Sequence, residues 1–171
     1  IWNSASEQVI VYGGVDAENR EFKDVWWVDV QAALAGEFSQ SFDHGMNSST
    51  PQWGHTAVYD DDRNCMYVFG APLANVWKYD CSADEWDEAA DSFDSELPEE
   101  RKFHAAVWDS SGSRMWIFGG LLTSLSEADN DLWHFSVVEE ADGSPTYFWS
   151  FVPHAGSASA RFGHAMAFDL S

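Results

Sequence analysis

Three histidines stand in one repeated setting: Trp53-Gly54-His55, Lys102-Phe103-His104 and Phe162-Gly163-His164. Neutral imidazoles are common zinc and copper ligands, so three of them invite a metal reading. Two cysteines, Cys65 and Cys81, offer a disulfide, a reactive thiolate or two buried apolar groups. Acid is concentrated between Asp80 and Glu100, at Asp80, Asp84, Glu85, Asp87, Glu88, Asp91, Asp94, Glu96, Glu99 and Glu100, with no Lys or Arg among them. Such a run is a solvated outer rim first, and a dock for a basic partner or a weak Ca2+ site second. Calcium needs several oxygens on a tight loop, and no aspartate-rich loop here carries the glycine that an EF-hand requires. Asn47-Ser48-Ser49 is a glycosylation sequon. There is no Gly-x-Ser-x-Gly elbow, no Walker loop and no clustered cysteine set. Which of these chemistries is available depends on the elements that hold the residues.

Those elements repeat. Ile1–Gly14 (IWNSASEQVIVYGG), Val58–Ala71 (VYDDDRNCMYVFGA) and Val107–Gly120 (VWDSSGSRMWIFGG) align without a gap. Each is an apolar strand end, a polar turn, and an apolar strand running into Gly13-Gly14, Gly70-Ala71 or Gly119-Gly120. A self-similar period of about 50 residues marks a repeat architecture. A second apolar run follows each glycine pair, opened by Asp24-Val25-Trp26, Asn75-Val76-Trp77 or Asp131-Leu132-Trp133. A later aromatic closes the unit: Trp86 and Trp149, with Phe38 or Phe42 the weaker case. Val9–Tyr12, Met66–Phe69 and Met115–Phe118 are short, continuously apolar and rich in β-branched and aromatic residues, as strands buried on both faces are.

The unit resembles a kelch repeat, whose pattern is a leading Arg-x-Gly-His strand, a Gly-Gly strand, an aspartate-aromatic strand and a tryptophan strand. Arg101 and Arg161 match the leading Arg, and the second repeat departs from the pattern at Gln52 and Ala71. The resemblance covers nearly the whole chain and implies an all-β, kelch-type β-propeller segment of about three four-stranded blades. Blade one is expected over about 1–50 without the start of its first strand, blade two over 51–100 and blade three over 101–160, with 161–171 opening a further blade. Propellers have roughly four to eight blades. There is no initiator Met, so the expectation is a segment of a longer polypeptide whose remaining blades close the ring. In this setting His55, His104 and His164 are structural, because equivalent positions on successive blades lie too far apart to share one ion. Most of the ten Trp are then packing between blades.

Eight basic against 29 acidic residues give a net charge of −21. No basic stripe exists to displace counterions, so nucleic acid is not expected as a partner. No run approaches the roughly 18 apolar residues of a membrane helix, so membrane insertion is not expected in this segment. No cofactor is expected, calcium being the alternative considered. Centring the hairpin Ala71–Asn75 near residue 73 puts Phe69 opposite Trp77, Tyr67 opposite Tyr79 and Cys65 opposite Cys81. Opposed Cα atoms of a non-hydrogen-bonded pair lie ~4.5 Å apart, within disulfide range. The reading is a Cys65–Cys81 bond, with two buried free thiols as the alternative. Together with the Asn47 sequon the bond points to an extracellular or cell-surface setting, whereas two free thiols and a bare Asn47 would point to a cytoplasmic one.

Specificity is expected in the long loops Val15–Lys23, Leu34–Pro51, Leu121–Asn130 and Glu139–Tyr147. Leu121, Leu122 and Leu125 beside Glu127 and Asp129 form an apolar patch rimmed by acid, unless the leucines fold back onto the blade. Three functions fit. The first is a non-catalytic module that binds another protein, one with a basic surface, or acts as a scaffold in a larger assembly. The second is a metal-dependent propeller enzyme, a copper-radical sugar oxidase or an iron-dependent specifier, with its site in other blades. The third is a cell-surface carbohydrate-binding module using loop aromatics such as Tyr147 or Phe148. The first is favoured, because the residues contain no catalytic constellation and fold alone supplies no chemistry.

Overall fold

The computed structural model describes residues 1–4, 6–35, 53–91, 96–154 and 158–169. Three antiparallel sheets follow one another along the chain. Blade one holds β1 (Trp2–Asn3), β2 (Gln8–Val15) and β3 (Glu21–Asp29) in that order, followed by the short helix α1 (Val30–Leu34). Blade two is the four-stranded meander β4 (Thr56–Asp60), β5 (Cys65–Gly70), β6 (Leu73–Asp80) and β7 (Glu85–Ala89). Blade three has its inner strand in two pieces, β8 (Arg101–Lys102) and β9 (Ala105–Asp109). Both pair with β10 (Arg114–Leu122), which is followed by β11 (Ala128–Glu139) and β12 (Pro145–Phe151). The span expected for an outer strand of blade one, with Phe38 and Phe42, lies outside the described residues.

The strands form where the apolar runs fall, and β5 shows why they stack. Every residue of β5 is buried. Cys65, Tyr67 and Phe69 face blade three, in one core with Met115, Ile117, Phe135 and Trp149. Met66 and Val68 face blade one, in a second core with Ile10, Tyr12 and Val25. Alternation along a strand sends successive side chains to opposite faces, so one strand feeds two inter-blade cores. Each fully buried aromatic or aliphatic side chain there stabilises the stack by about 1.5–3 kcal/mol. The outward faces of blades one and three remain partly open, and Val11 and Trp26 are exposed.

All three blades share one irregularity. The register of the second strand against the third shifts between Tyr12 and Gly14, between Val68 and Gly70, and between Phe118 and Gly120. This is a β-bulge, the role that glycine inside a strand commonly plays. It overturns the disulfide expectation. Past the bulge Val68 pairs with Trp77, Met66 with Tyr79, and Cys65 with Asp80 rather than Cys81. A shift of one residue moves a side chain to the opposite face. Cys65 lies in the core against blade three, Cys81 packs on the core against blade one, and both are free thiols.

The bulge also explains the glycines. A Cβ on Gly120 would lie 2.9 Å from His104 Cβ, and one on Gly119 would lie 2.6 Å from the Arg161 carbonyl oxygen. In blade two Gly70 meets both demands, with His55 Cα at 2.7 Å and His104 Cε1 at 3.4 Å. Alanine is therefore accommodated at position 71, where Ala71 N–H donates to the Arg101 carbonyl as Gly120 N–H does to that of Arg161.

Candidate functional site

Within each blade, the hairpin between second and third strands and the linker into the next blade emerge at one edge, here the loop face. The tighter turns that join first to second and third to fourth strands emerge at the other, the turn face. At the loop face the three leading motifs form a collar. Phe103 N–H donates to the Gly54 carbonyl at 2.7 Å, and Gly163 N–H donates to the Phe103 carbonyl at 2.7 Å. The three central residues share a left-handed backbone, with φ of 71° at Gly54, 57° at Phe103 and 67° at Gly163.

Beneath the collar lie the histidines. Tyr12 packs on His55, Phe69 on His104 and Phe118 on His164, with ring centroids 5.3, 5.3 and 5.5 Å apart. The aromatic before each glycine bulge thus seats the histidine of the following blade. His104 is buried, and its Nε2 lies 2.6 Å from the Thr56 hydroxyl. Burial, with the nearby Arg101 charge and the other two histidines, pushes its pKa down to about 3. The imidazole is therefore neutral at physiological pH. Among the described residues no three His, Cys, Asp or Glu side chains converge as metal ligands.

Arg101 is the other buried polar group of the collar. Its guanidinium donates to the Gly119 carbonyl at 3.0 Å, to Asp129 Oδ2 at 2.9 Å and to the Glu99 carbonyl at 3.0 Å. A buried charge held this way ties the linker, the glycine bulge and the third strand together. Asp129 is thus committed to Arg101 rather than offered to a partner. Arg161, the equivalent residue, is exposed and donates to Ser159.

Above the collar are aromatic rings. Trp53 and Phe103 have centroids 5.8 Å apart, and Phe103 and Phe162 6.4 Å apart. The Lys102 ammonium sits 3.5 Å from the centroid of the Trp53 ring, and Trp53 Nε1–H donates to Glu21 Oε1 at 2.7 Å. Phe103 is 37% and Phe162 53% exposed. Sequence reasoning missed this row. The signal was the alignment itself, which puts Phe103 where the other two motifs have glycine.

The loops expected to carry specificity are partly strand, except Leu34–Pro51, nearly all of which lies outside the described residues. β2 and β3 continue to Val15 and from Glu21, and Asp16 closes the short turn between them by accepting from Glu18 N–H, Arg20 N–H and Arg20 Nε. β10 runs through Leu121 and Leu122, and Leu122 folds back into the interior while Leu125 at the hairpin tip is 60% exposed beside the exposed Glu127. Tyr147 and Phe148 are strand residues of β12. Tyr147 stacks on Phe135 in the core, which corrects its reading as a loop aromatic able to meet a ligand. Phe148 sits half-buried.

The acidic run is largely engaged within the chain. Asp84 accepts from the Tyr79 hydroxyl and Glu88 from the Asn75 amide. Asp87 pairs with Lys78 at 3.3 Å, and Asp91 accepts from the Trp149 N–H at 2.9 Å. Glu85 is exposed on β7. Asp94 and Asn47 lie outside the described residues. With the cysteines apart, Asn47 alone is left to argue for an extracellular setting. Trp77 packs between blades one and two and Trp133 between two and three, whereas Trp26 lies on the open face of blade one, its indole donating to Asp24. On the turn face a cleft of about 370 Å³ between blades one and two is lined by Asn3, Asn64, Trp27, Tyr79, Cys81 and Asp84, among others. Burial pushes the Cys81 thiol up to about 12, so this cleft holds no activated nucleophile.

Four-stranded blades, glycine bulges and a collar of stacked linkers define a β-propeller. The chain belongs to the kelch-repeat family, since its residues 2–169 match the KLHDC2/KLHL20/DRC7 Kelch-repeats domain. It is similar to Mei4-dependent protein 6 of Schizosaccharomyces pombe (strain 972 / ATCC 24843), at 26% identity over 129 residues, 68% of this chain and 17% of that protein. The chain therefore spans less than a fifth of this relative. Its fold is similar to that of a chain in the cryo-EM structure of RAG in complex with one melted RSS and one unmelted RSS. The TM-score is 0.60 at 14% identity, over 86% of this chain and 47% of that one. At this identity the likeness is one of fold alone. Kelch-repeat domains are in general protein-interaction modules, and among the described residues no helix is long and apolar enough to cross a membrane.

Proposed function

We propose that this chain is a non-catalytic protein-binding module that meets its partner through the loop face. The observation that carries this reading is where the exposed apolar side chains lie. Phe22, Leu97, Phe103, Leu125 and Phe162 are exposed in loop-face hairpins or linkers, while Trp2, Val11, Trp26, Leu34 and Val138 are exposed elsewhere on the blades. Apolar groups gathered on one face of a rigid frame are the usual sign of a recognition surface. Asp87 and Glu88 of the outer strand have partners within the chain, as Glu21, Glu99 and Glu100 of the loop face do, so the acids by themselves do not locate the dock. A photo-crosslinking residue at Leu125, compared with one at Asp62 on the turn face, tests the reading in the protein from its native source. Cross-links to a discrete second polypeptide are expected from Leu125 alone. Equal yields from both positions, or none from Leu125, would count against it.

A further inference from the structure

Phe103 departs from a local rule at the centre of the collar. Its slot holds glycine in the other two motifs, at φ of 71° and 67°, because a left-handed backbone is open to glycine at no steric cost. Phe103 adopts φ of 57° there. A bulky side chain in this region is strained. Core burial does not offset that cost, since the ring is 37% exposed. Such departures from local consistency are expected where function requires them.

The surroundings indicate the chemistry of what would cover it. Trp53 already accepts a cation on its face, the Lys102 ammonium at 3.5 Å, and a carboxylate, Glu21, accepts from its indole edge. Phe103 and Phe162 continue the same row with exposed rings. The linker into the collar carries Glu96, Glu99 and Glu100, all exposed, on a chain of net charge −21. Aromatic faces bordered by carboxylates suit a guanidinium, which stacks on a ring while its N–H groups meet the acid. Building on the interaction-module reading, we propose that the Trp53–Phe103–Phe162 collar docks an arginine-bearing segment of the partner protein, with Glu21 as its counter-charge.

The test uses a nonapeptide alternating arginine and glycine, and the same peptide with citrulline for arginine, titrated into the protein at physiological salt and followed by Trp fluorescence and calorimetry. Phe103→Gly restores the glycine of the other motifs, so it is expected to fold with an unchanged or higher midpoint yet to bind the arginine peptide at least tenfold more weakly. The citrulline peptide should bind the unmodified protein at least tenfold more weakly as well. The double substitution Glu85→Gln, Glu88→Gln on the outer strand should alter affinity less than threefold. Full binding by Phe103→Gly, equal binding of the citrulline peptide, or loss in the outer-strand variant would overturn the proposal. So would a fall of several degrees in the midpoint of Phe103→Gly, which would make Phe103 a packing residue. If the arginine peptide fails while cross-linking at Leu125 still captures a partner, the interaction reading stands and the cationic chemistry falls.

Discussion

Gly14 and Gly120 occupy the same repeat position with nearly the same backbone, φ of 106° and 110°. They differ in what this chain places around them, since blade one is described only from the middle of its inner strand onward. Among the described residues nothing lies within 4 Å of a Cβ built on Gly14, whereas one on Gly120 would meet His104 Cβ at 2.9 Å, the Lys102 carbonyl oxygen at 3.1 Å and His104 Cα at 3.3 Å. Alanine at either position carries the same backbone strain, roughly 1–3 kcal/mol. Only Gly120→Ala also drives the inner strand away, at the roughly 1–3 kcal/mol typical of overpacking. Gly120→Ala should therefore cost about 1–3 kcal/mol more than Gly14→Ala. At an m-value of about 2 kcal/mol/M that separates the urea midpoints by roughly 0.5–1.5 M. The assay is urea unfolding of the 171-residue chain, followed by Trp fluorescence and circular dichroism, with equal m-values required. Gly143→Ala (φ of 83°, with nothing within 4 Å) is a second strain-only control. Equal costs at Gly14 and Gly120 would refute the claim that the repeat keeps this glycine for the approach of the inner strand.

Two further outcomes follow from the buried titratable groups. The folded pKa of His104, about 3, lies below its unfolded value of about 6.5, so the unfolded chain binds the extra proton between those limits and stability is lost as pH falls through that window. From pH 7 to pH 5 this amounts to about 2 kcal/mol, and His104→Gln should remove that part of the slope in pH-dependent urea titrations; an unchanged slope would mean that His104 is not buried neutral. Burial also raises the thiols, Cys65 to about 11 and Cys81 to about 12. Both should react with Ellman's reagent at pH 8 more slowly than free cysteine, the half-buried Cys81 before the buried Cys65, and a linked Cys65–Cys81 peptide on non-reducing mapping would contradict the register.

The architecture was legible because three glycine-ended strands and three Trp-opened strands recur at corresponding places, the signature of a repeat fold. The register was not. Treating Ala71–Asn75 as a simple hairpin ignored that Gly70 lies inside the pairing and can absorb an extra residue. That single step put Cys81 on the wrong face. The loop residues failed for a related reason. Hydrophobicity marked Leu121, Leu122 and Tyr147 correctly as apolar, but only strand continuation decides whether such residues are at a tip or in a core, and β10 and β12 continue through them. Phe103 was visible in the alignment, yet a lone aromatic in a turn reads as packing until its backbone angle is known.

Part of the acidity serves to close turns. On the turn face Asp60, Asp80 and Asp109 each end a strand and accept N–H groups of the turn that follows: Asp62 for the first, Ser82 and Ala83 for the second, and Gly112 for the third. A short carboxylate reaches its own turn backbone, which is why aspartate is favoured there. These aspartates contribute to the net charge, but their role is to close turns. The loop face has a turn-closing aspartate too, Asp16, and it carries glutamates besides: Glu21 at the Trp53 indole, Glu99 and Glu100 against the Ser124 and Thr123 hydroxyls, and Glu127 exposed at a hairpin tip. A charge count made along the chain points to the segment Asp80–Glu100, whereas the exposed aromatic rings point to the collar. If net charge alone drew the partner, neutralising any two exposed acids would weaken binding alike. If the collar draws it, Glu21→Gln should weaken binding and Asp62→Asn should not, and that contrast distinguishes a recognition surface from a charged one.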